Sequence, residues 1–133
     1  MSRTGKKVAW QEAYNRLLEL AFEKKGGWQL APVICKKPMH KGDFLKNGVF
    51  VEVQFGNSAT VYRDYYKFHY GLTHKLLSLA VLIVPVDPKK FFPSRPSSVS
   101  NMAEFALACR YFQLLPIPVP ILVYGLLPEV CKP

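Results

Sequence analysis

Acidic side chains are scarce in this sequence of 133 residues, which has nine Asp and Glu against 18 Lys and Arg, for a formal net charge of +9. So strong a positive balance indicates a polyanionic partner, either nucleic acid or an anionic membrane surface. The basic residues are spread over predicted loops and do not form one face of a helix, which disfavours the membrane surface. Nucleic acid is therefore the partner that this composition favours.

Cysteine is also scarce. Cys35, Cys109 and Cys131 are too few and too widely spaced for a disulfide framework or a zinc pattern. The histidines show no ligand spacing that would favour a zinc site either. We interpret the cysteines as reduced thiols of a cytoplasmic protein.

Long uninterrupted apolar segments are absent. The segment from Leu76 to Val86 is too short to cross a bilayer, and the segment from Leu114 to Val130 contains prolines that would break a helix. Residues 1–7 are polar and basic, unlike a secretory signal. No glycine-rich phosphate loop is evident, so we expect neither a membrane span nor a nucleotide cofactor.

What is present is an ordinary globular composition, with 50% hydrophobic and 20% charged residues, and a length typical of one domain. We expect a basic, flexible tail over residues 1–7 and a single domain over residues 8–133. Periodicity and turn residues predict the order α-β-β-β-α-β-α-β, which implies an α/β fold with a mixed sheet and helices on both faces. The predicted helices are Val8–Lys25, Thr60–Lys75 and Asn101–Gln113, and the predicted strands are Trp28–Cys35, two hairpin arms within 43–55, Leu77–Val86 and Val119–Leu126.

The β-hairpin predicted over residues 43–55 is the most informative segment. Asn47-Gly48 is a strong two-residue turn signal, because both positions favour positive φ. Asp43 and Glu52 stand on opposite arms, and a suitable register would bring both side chains to the same end of the sheet. Glu52 lies in an apolar run, where a buried carboxylate needs a cation or a metal beside it.

Two converging carboxylates, a backbone carbonyl and waters make the oxygen-only site that suits Mg²⁺. Gln54 lies on the same strand face as Glu52, because side chains alternate along a strand, and is placed to orient a water. From composition and spacing alone, the ordinary alternative is slightly favoured: Asp43 merely begins a strand and Glu52 faces solvent, since surface carboxylates outnumber metal ligands.

The hairpin nevertheless resembles a known active site. Asp43, followed nine residues later by Glu52-Val53-Gln54 and then Phe55-Gly56-Asn57, is similar to the catalytic hairpin of the PD-(D/E)XK nuclease superfamily. The superfamily core has the same α-β-β-β-α-β order. Most members end the motif in lysine, and the Glu-x-Gln ending resembles the BglII/BstYI branch of type II restriction endonucleases. The resemblance extends from Trp10 to Pro128.

This resemblance implies a Mg²⁺-dependent endonuclease of double-stranded DNA with a restriction-endonuclease-like αβββαβ core. It implies a homodimer, because cutting both strands needs two active sites. Asp43, Glu52 and the carbonyl of Val53 would bind Mg²⁺. Gln54 would stand near the attacking water, and Asn57 would lie close to the DNA.

Two polar loops are further candidates for DNA contact. The candidate residues are Lys36, Lys37 and Lys41 just before the hairpin, and Ser97, Ser98 and Asn101 in a later loop. For the lysine cluster, phosphate contact and a solvated loop are about equally favoured. In this superfamily a first-helix acid sometimes joins the site, which makes Glu12 and Glu19 candidates, although a solvated helix face is the commoner role.

Two alternative functions stay open. A structure-specific nuclease of the same fold, similar to Holliday-junction resolvases, would fit the short chain. A catalytically inactive DNA-binding module would fit the replacement of the motif lysine by Gln54. Gly42 also stands where the motif usually has proline.

Overall fold

The computed structural model describes residues 3–92, 101–118 and 120–127. In chain order the elements are α1 (Arg3–Lys25), β1 (Gln29–Leu30), β2 (Val33–Lys36), β3 (Met39–Lys41), β4 (Phe44–Lys46), β5 (Val49–Val53), α2 (Thr60–Thr73), β6 (Leu79–Pro85), α3 (Pro88–Phe91), α4 (Phe105–Leu114) and β7 (Ile121–Leu126). In these three ranges no helix is both long and apolar enough to cross a membrane.

Five of the strands form a mixed sheet in the order β1-β4-β5-β6-β7. β1, β4 and β5 are antiparallel neighbours, whereas β5, β6 and β7 run parallel. Parallel neighbours need crossover connections, and these contain α2 after β5 and α4 after β6. The predicted α/β class with a mixed sheet is therefore confirmed.

The hairpin of β4 and β5 turns at Asn47-Gly48, as predicted. These residues have φ values of 49° and 78°, which the two-residue turn requires. The register pairs Phe44 with Val51 and Lys46 with Val49. Continued by one residue, it sets Asp43 opposite Glu52.

Helices cover both faces of the sheet. On one face, Phe50 of β5 packs edge-on against Phe68 of α2, with ring centroids 5.6 Å apart. On the other face, Phe22 of α1 stacks on Phe44 of β4 at 3.9 Å. Residues 80–85 of β6 are buried throughout, as expected for a parallel strand covered on both sides.

The first third of the chain differs from the prediction in three places. α1 begins at Arg3, so Arg3–Lys7, expected in a flexible tail, are helical. The predicted strand Trp28–Cys35 is divided into β1 and β2, because Ala31 has a positive φ of 47° and Pro32 lacks an N–H. Residues 36–41, predicted as a loop, contribute to the separate β2–β3 hairpin.

The third predicted helix also begins later than expected. Residues 101–103 are extended and pair with the segment after β5, because the N–H of Ser58 donates to the carbonyl of Asn101 at 2.8 Å. The N–H of Ala103 donates to the carbonyl of Gly56 at 3.0 Å. The helix α4 therefore starts at Phe105 instead of Asn101.

Candidate active site

Asp43 and Glu52 lie together at one end of the sheet. Oδ2 of Asp43 accepts a hydrogen bond from the backbone N–H of Val53 at 2.7 Å, which fixes the start of β4 against the end of β5. Glu52 is 3% exposed. The ordinary alternative, a Glu52 that faces solvent, is therefore wrong.

Two side chains from α2 complete the cluster. Nζ of Lys67 lies 3.3 Å from Oε1 and 3.4 Å from Oε2 of Glu52. Asp64 is 1% exposed. Its Oδ2 accepts a hydrogen bond from Nε2 of Gln54 at 2.9 Å. Glu52 and Gln54 therefore both face α2, as the alternation of side chains along β5 predicted.

Asp64 and Lys67 are not among the site residues that the sequence predicts. One signal for Asp64 was available, because Val61, Asp64, Phe68 and Gly71 recur at helical spacing and form the buried face of α2. An acidic residue in phase with apolar residues is buried if the helix packs on that face. Lys67 follows Asp64 by three residues and so lies on a neighbouring position of the same helix surface.

Gln54 is held at both ends of its amide. While Nε2 donates to Asp64, Oε1 accepts the backbone N–H of Gly56 at 2.9 Å. An amide has two N–H donors and two lone pairs, so one of each is used here. These two hydrogen bonds fix the orientation of the Gln54 amide.

The electrostatics of the cluster favour an added cation. Burial, followed by repulsion from Asp43, raises the pKa of Glu52 to about 9, and Lys67 opposes this shift. Burial also raises the pKa of Asp64 to about 6, against the hydrogen bond from Gln54 and the charge of Lys67. Because both shifts disfavour the ionised carboxylates, a cation bound beside these groups would be stabilising.

A cavity of about 140 Å³ opens beside Asp43. Its walls include Val53 and two residues of α1, Asn15 and Glu19. The Glu19 carboxylate also pairs with Arg16 at 3.0 Å. Of the two candidate first-helix acids, Glu19 lines this cavity together with Asp43, whereas Glu12 is exposed and is not part of the cavity wall.

The donors fit a magnesium ion. In the described part of the chain, no three His, Cys, Asp or Glu side chains form a metal-binding group. A site at Asp43 and Glu52 would therefore rely on two carboxylates, a carbonyl and waters. That set suits Mg²⁺, which keeps several waters and takes only one or two carboxylates from a protein.

Asn57 and Asn101, both predicted to contact DNA, are neighbours. Asn57 forms a β-bridge with Met102, and both asparagines are exposed. Oδ1 of Asn57 accepts the backbone N–H of Ala59 at 2.8 Å, just before α2 begins. The pairing therefore presents two amide side chains at the same edge of the molecule.

The predicted lysine cluster is exposed on the β2–β3 hairpin, with Lys36 in β2, Lys37 in its turn and Lys41 in β3. The hairpin is held near α2 by contact between the rings of His40 and Tyr66, 5.2 Å apart. Ser97 and Ser98 lie outside the described residues.

The five-stranded mixed sheet with flanking helices is consistent with a restriction-endonuclease-like fold. The family model described as restriction endonuclease BglII/BglIII matches residues 1–126, and the chain belongs to this family. The resemblance to BglII-type enzymes inferred from the hairpin is thus confirmed. A comparison with curated proteins gave no match.

Proposed function

We propose that the chain is a Mg²⁺-dependent type II restriction endonuclease that hydrolyses phosphodiester bonds in double-stranded DNA as a homodimer. The observation that carries this proposal is the convergence of Asp43 with a buried Glu52 in a member of a restriction endonuclease family. The net charge of +9 supports a polyanionic substrate.

Asp43, Glu52 and the carbonyl of Val53 are the groups that would hold Mg²⁺. Its chemistry, when bound, would be to lower the pKa of a water and to neutralise charge that develops on the phosphate. The carboxylates are positioned for this role because the Val53 N–H fixes Asp43 and Lys67 fixes Glu52.

The proposed reaction is an in-line attack of water on the scissile phosphorus. A bond forms between the water oxygen and phosphorus, and the bond from phosphorus to the 3′-oxygen breaks. The water loses its proton to solvent, and the leaving 3′-oxygen takes one from solvent, giving a 5′-phosphate and a 3′-hydroxyl. Gln54, whose amide is oriented by Asp64, keeps one donor and one lone pair for the attacking water.

The proposed DNA contacts come from two surfaces. Lys36, Lys37 and Lys41 would bind phosphates, because exposed lysines attract the DNA backbone without reading its sequence. The second surface comprises Asn57 and Asn101, whose exposed amide side chains would contact bases or phosphates. Ser97 and Ser98 stay proposed DNA contacts from the sequence alone.

Cleavage of plasmid and phage DNA tests the proposal. Purified protein is incubated with Mg²⁺ or with EDTA, beside Asp43→Ala and the matched control Glu23→Ala, which changes an exposed acid of α1. Discrete fragments that need Mg²⁺, vanish in Asp43→Ala and persist in Glu23→Ala are expected. Sedimentation of the DNA complex should show two chains of 15.1 kDa each.

The alternatives give different results in the same assay. Cleavage of a four-way junction without cleavage of linear duplex would identify a structure-specific nuclease. Binding of both DNAs, with neither cut in Mg²⁺, would identify an inactive DNA-binding module and contradict the proposal.

A further inference from the structure

The site lacks a cation on the strand that carries Glu52. Where the sequence pattern of most related hairpins has a lysine, this chain has the neutral Gln54. The amide of Gln54 is also committed to Asp64 and to the N–H of Gly56, each at 2.9 Å. Gln54 can orient a water, but it cannot place a positive charge beside the attacked phosphate.

Lys67 places a positive charge beside Glu52 from the neighbouring helix. Its Nζ is within 3.4 Å of both oxygens of Glu52, and its side chain is 11% exposed. The two other ion pairs in the described part of the chain both involve Arg16 and are largely exposed.

Stability does not account for such a buried pair. The cost of removing both charges from water offsets most of their attraction, so an apolar pair of similar size is often at least as stable. A largely enclosed ammonium held against the carboxyl group of Glu52 is better explained by a role in the chemistry. Its contacts leave capacity for that role, because an ammonium has three donors and Glu52 offers it two oxygens.

We propose that Lys67 is a catalytic residue whose ammonium donates a hydrogen bond to a non-bridging oxygen of the scissile phosphate. Negative charge grows on the phosphoryl oxygens during attack, and a fixed cation in a partly dry site stabilises that charge more than it stabilises the bound substrate. Lys67 stays protonated throughout, so no proton is transferred to or from it. This role rests on the proposed nuclease function.

Three variants test the role, namely Lys67→Met, Lys67→Arg and the control Lys75→Met, which removes an exposed lysine just after α2. Single-turnover cleavage of supercoiled plasmid is measured in Mg²⁺, and DNA binding is measured separately with Ca²⁺ in place of Mg²⁺. Lys67→Met should slow cleavage by about 100-fold or more, the usual effect of losing one such donor, while binding is retained. Lys75→Met should cut like the wild type.

Lys67→Arg separates catalysis from structure. Arginine keeps the charge and the pair with Glu52, so a purely structural cation would leave the cleavage rate unchanged. The planar guanidinium places its donors differently, and we expect a rate between those of wild type and Lys67→Met with unchanged binding. If Lys67→Met fails to fold, the arginine variant still decides the question.

A Lys67→Met protein that cuts as fast as the wild type, or a Lys67→Arg protein at full rate, would overturn the role of Lys67 alone. A wild-type protein that cuts no DNA would overturn the proposed function and this role with it. Cleavage by the wild type therefore distinguishes failure of the Lys67 role from failure of the proposed nuclease function.

Discussion

Gln54, the residue after β5, and Asp64 of α2 are joined by a hydrogen bond of 2.9 Å between Nε2 and Oδ2. This bond ties the strand that carries Glu52 to the helix that carries Lys67. The hairpin and the helix therefore form one site, and the positions of its charged groups depend on how the two elements pack.

The stability of the metal-free protein should fall as the pH rises. The pKa of Glu52 is about 9 in the folded state, against an ordinary value of 4.5, because of burial and of repulsion from Asp43. The folded state holds a proton that the unfolded chain has released, so this stability is complete below pH 4.5 and is lost progressively up to about pH 9. Thermal unfolding in EDTA should give a lower Tm at about pH 8.5 than at about pH 6.5, by several degrees.

The Glu52→Gln variant should lose most of the pH dependence of the Tm above about pH 6.5, because the titrating carboxyl group is gone. The control Glu23→Gln changes an exposed acid and should keep the pH dependence of the Tm. Equal slopes for wild type and Glu52→Gln would show that Glu52 does not titrate as its surroundings require. Added Mg²⁺ should raise the Tm of the wild type more at the higher pH, where the carboxylate is more readily ionised.

Glu19 and Glu12 should respond differently to loss of charge. Glu19 shares a cavity with Asp43, whereas Glu12 is exposed on the same helix. Glu19→Gln should raise the Mg²⁺ concentration for half-maximal cleavage, by up to about fivefold, since a half-exposed charge is worth about 1 kcal/mol or less. Glu12→Gln should leave it unchanged. A Mg²⁺ titration of plasmid cleavage measures both, and identical curves for the two variants would exclude Glu19 from the site.

Gly42→Ala should destabilise both the core and the site. A Cβ at this position would overlap the ring of Phe50 and come within 3.3 Å of Oε1 of Glu52. We expect a loss of about 1–3 kcal/mol in the free energy of unfolding, typical of overpacking, with slower cleavage. Urea unfolding measures the loss of folding free energy, and plasmid cleavage measures the rate.

Gly26→Ala is the matched control for Gly42→Ala. Its Cβ would meet nothing within 4 Å, so only the strain of a φ of +75° remains. That strain costs about 1–2 kcal/mol and should leave the cleavage rate of the folded protein unchanged. A Gly42→Ala protein as active as Gly26→Ala would contradict the packing described for the start of β4.

The lysine cluster should determine the salt dependence of DNA binding. Each of Lys36, Lys37 and Lys41 that neutralises a phosphate contributes about 0.9 to the slope of log affinity against log salt concentration. Replacing all three by glutamine should weaken binding and flatten that slope, whereas Lys75→Gln should change neither. Fluorescence anisotropy with a labelled duplex in Ca²⁺ measures the slope, and an unaltered slope would place the DNA elsewhere.

The hairpin could be predicted because its signals are local. The Asn47-Gly48 turn fixes the register within a few residues, and that register alone sets Asp43 opposite Glu52. The parallel strand β6 was recognisable from its continuous apolar run, which is typical of a strand covered on both faces.

The site residues of α2, Asp64 and Lys67, could not be predicted from local signals alone. A charged residue on a helix is usually solvated, and whether Asp64 or Lys67 turns inward depends on which face of α2 packs against β5. That packing is set by the crossover from β5 to β6, a long-range feature. Similarly, the division of Trp28–Cys35 into two strands depends on their different pairing, because β1 pairs with β4 and β2 pairs with β3.

Every charged group of the proposed chemistry, apart from the α1 acid, lies in the uninterrupted stretch from Asp43 to Lys67. The β4–β5 hairpin and the helix α2 that follows it therefore carry nearly all of these groups, and β6 and β7 extend the same sheet beside β5. The groups proposed to break the DNA backbone are therefore contiguous in sequence, whereas the proposed DNA contacts Lys36, Lys37, Lys41 and Asn101 lie outside that stretch.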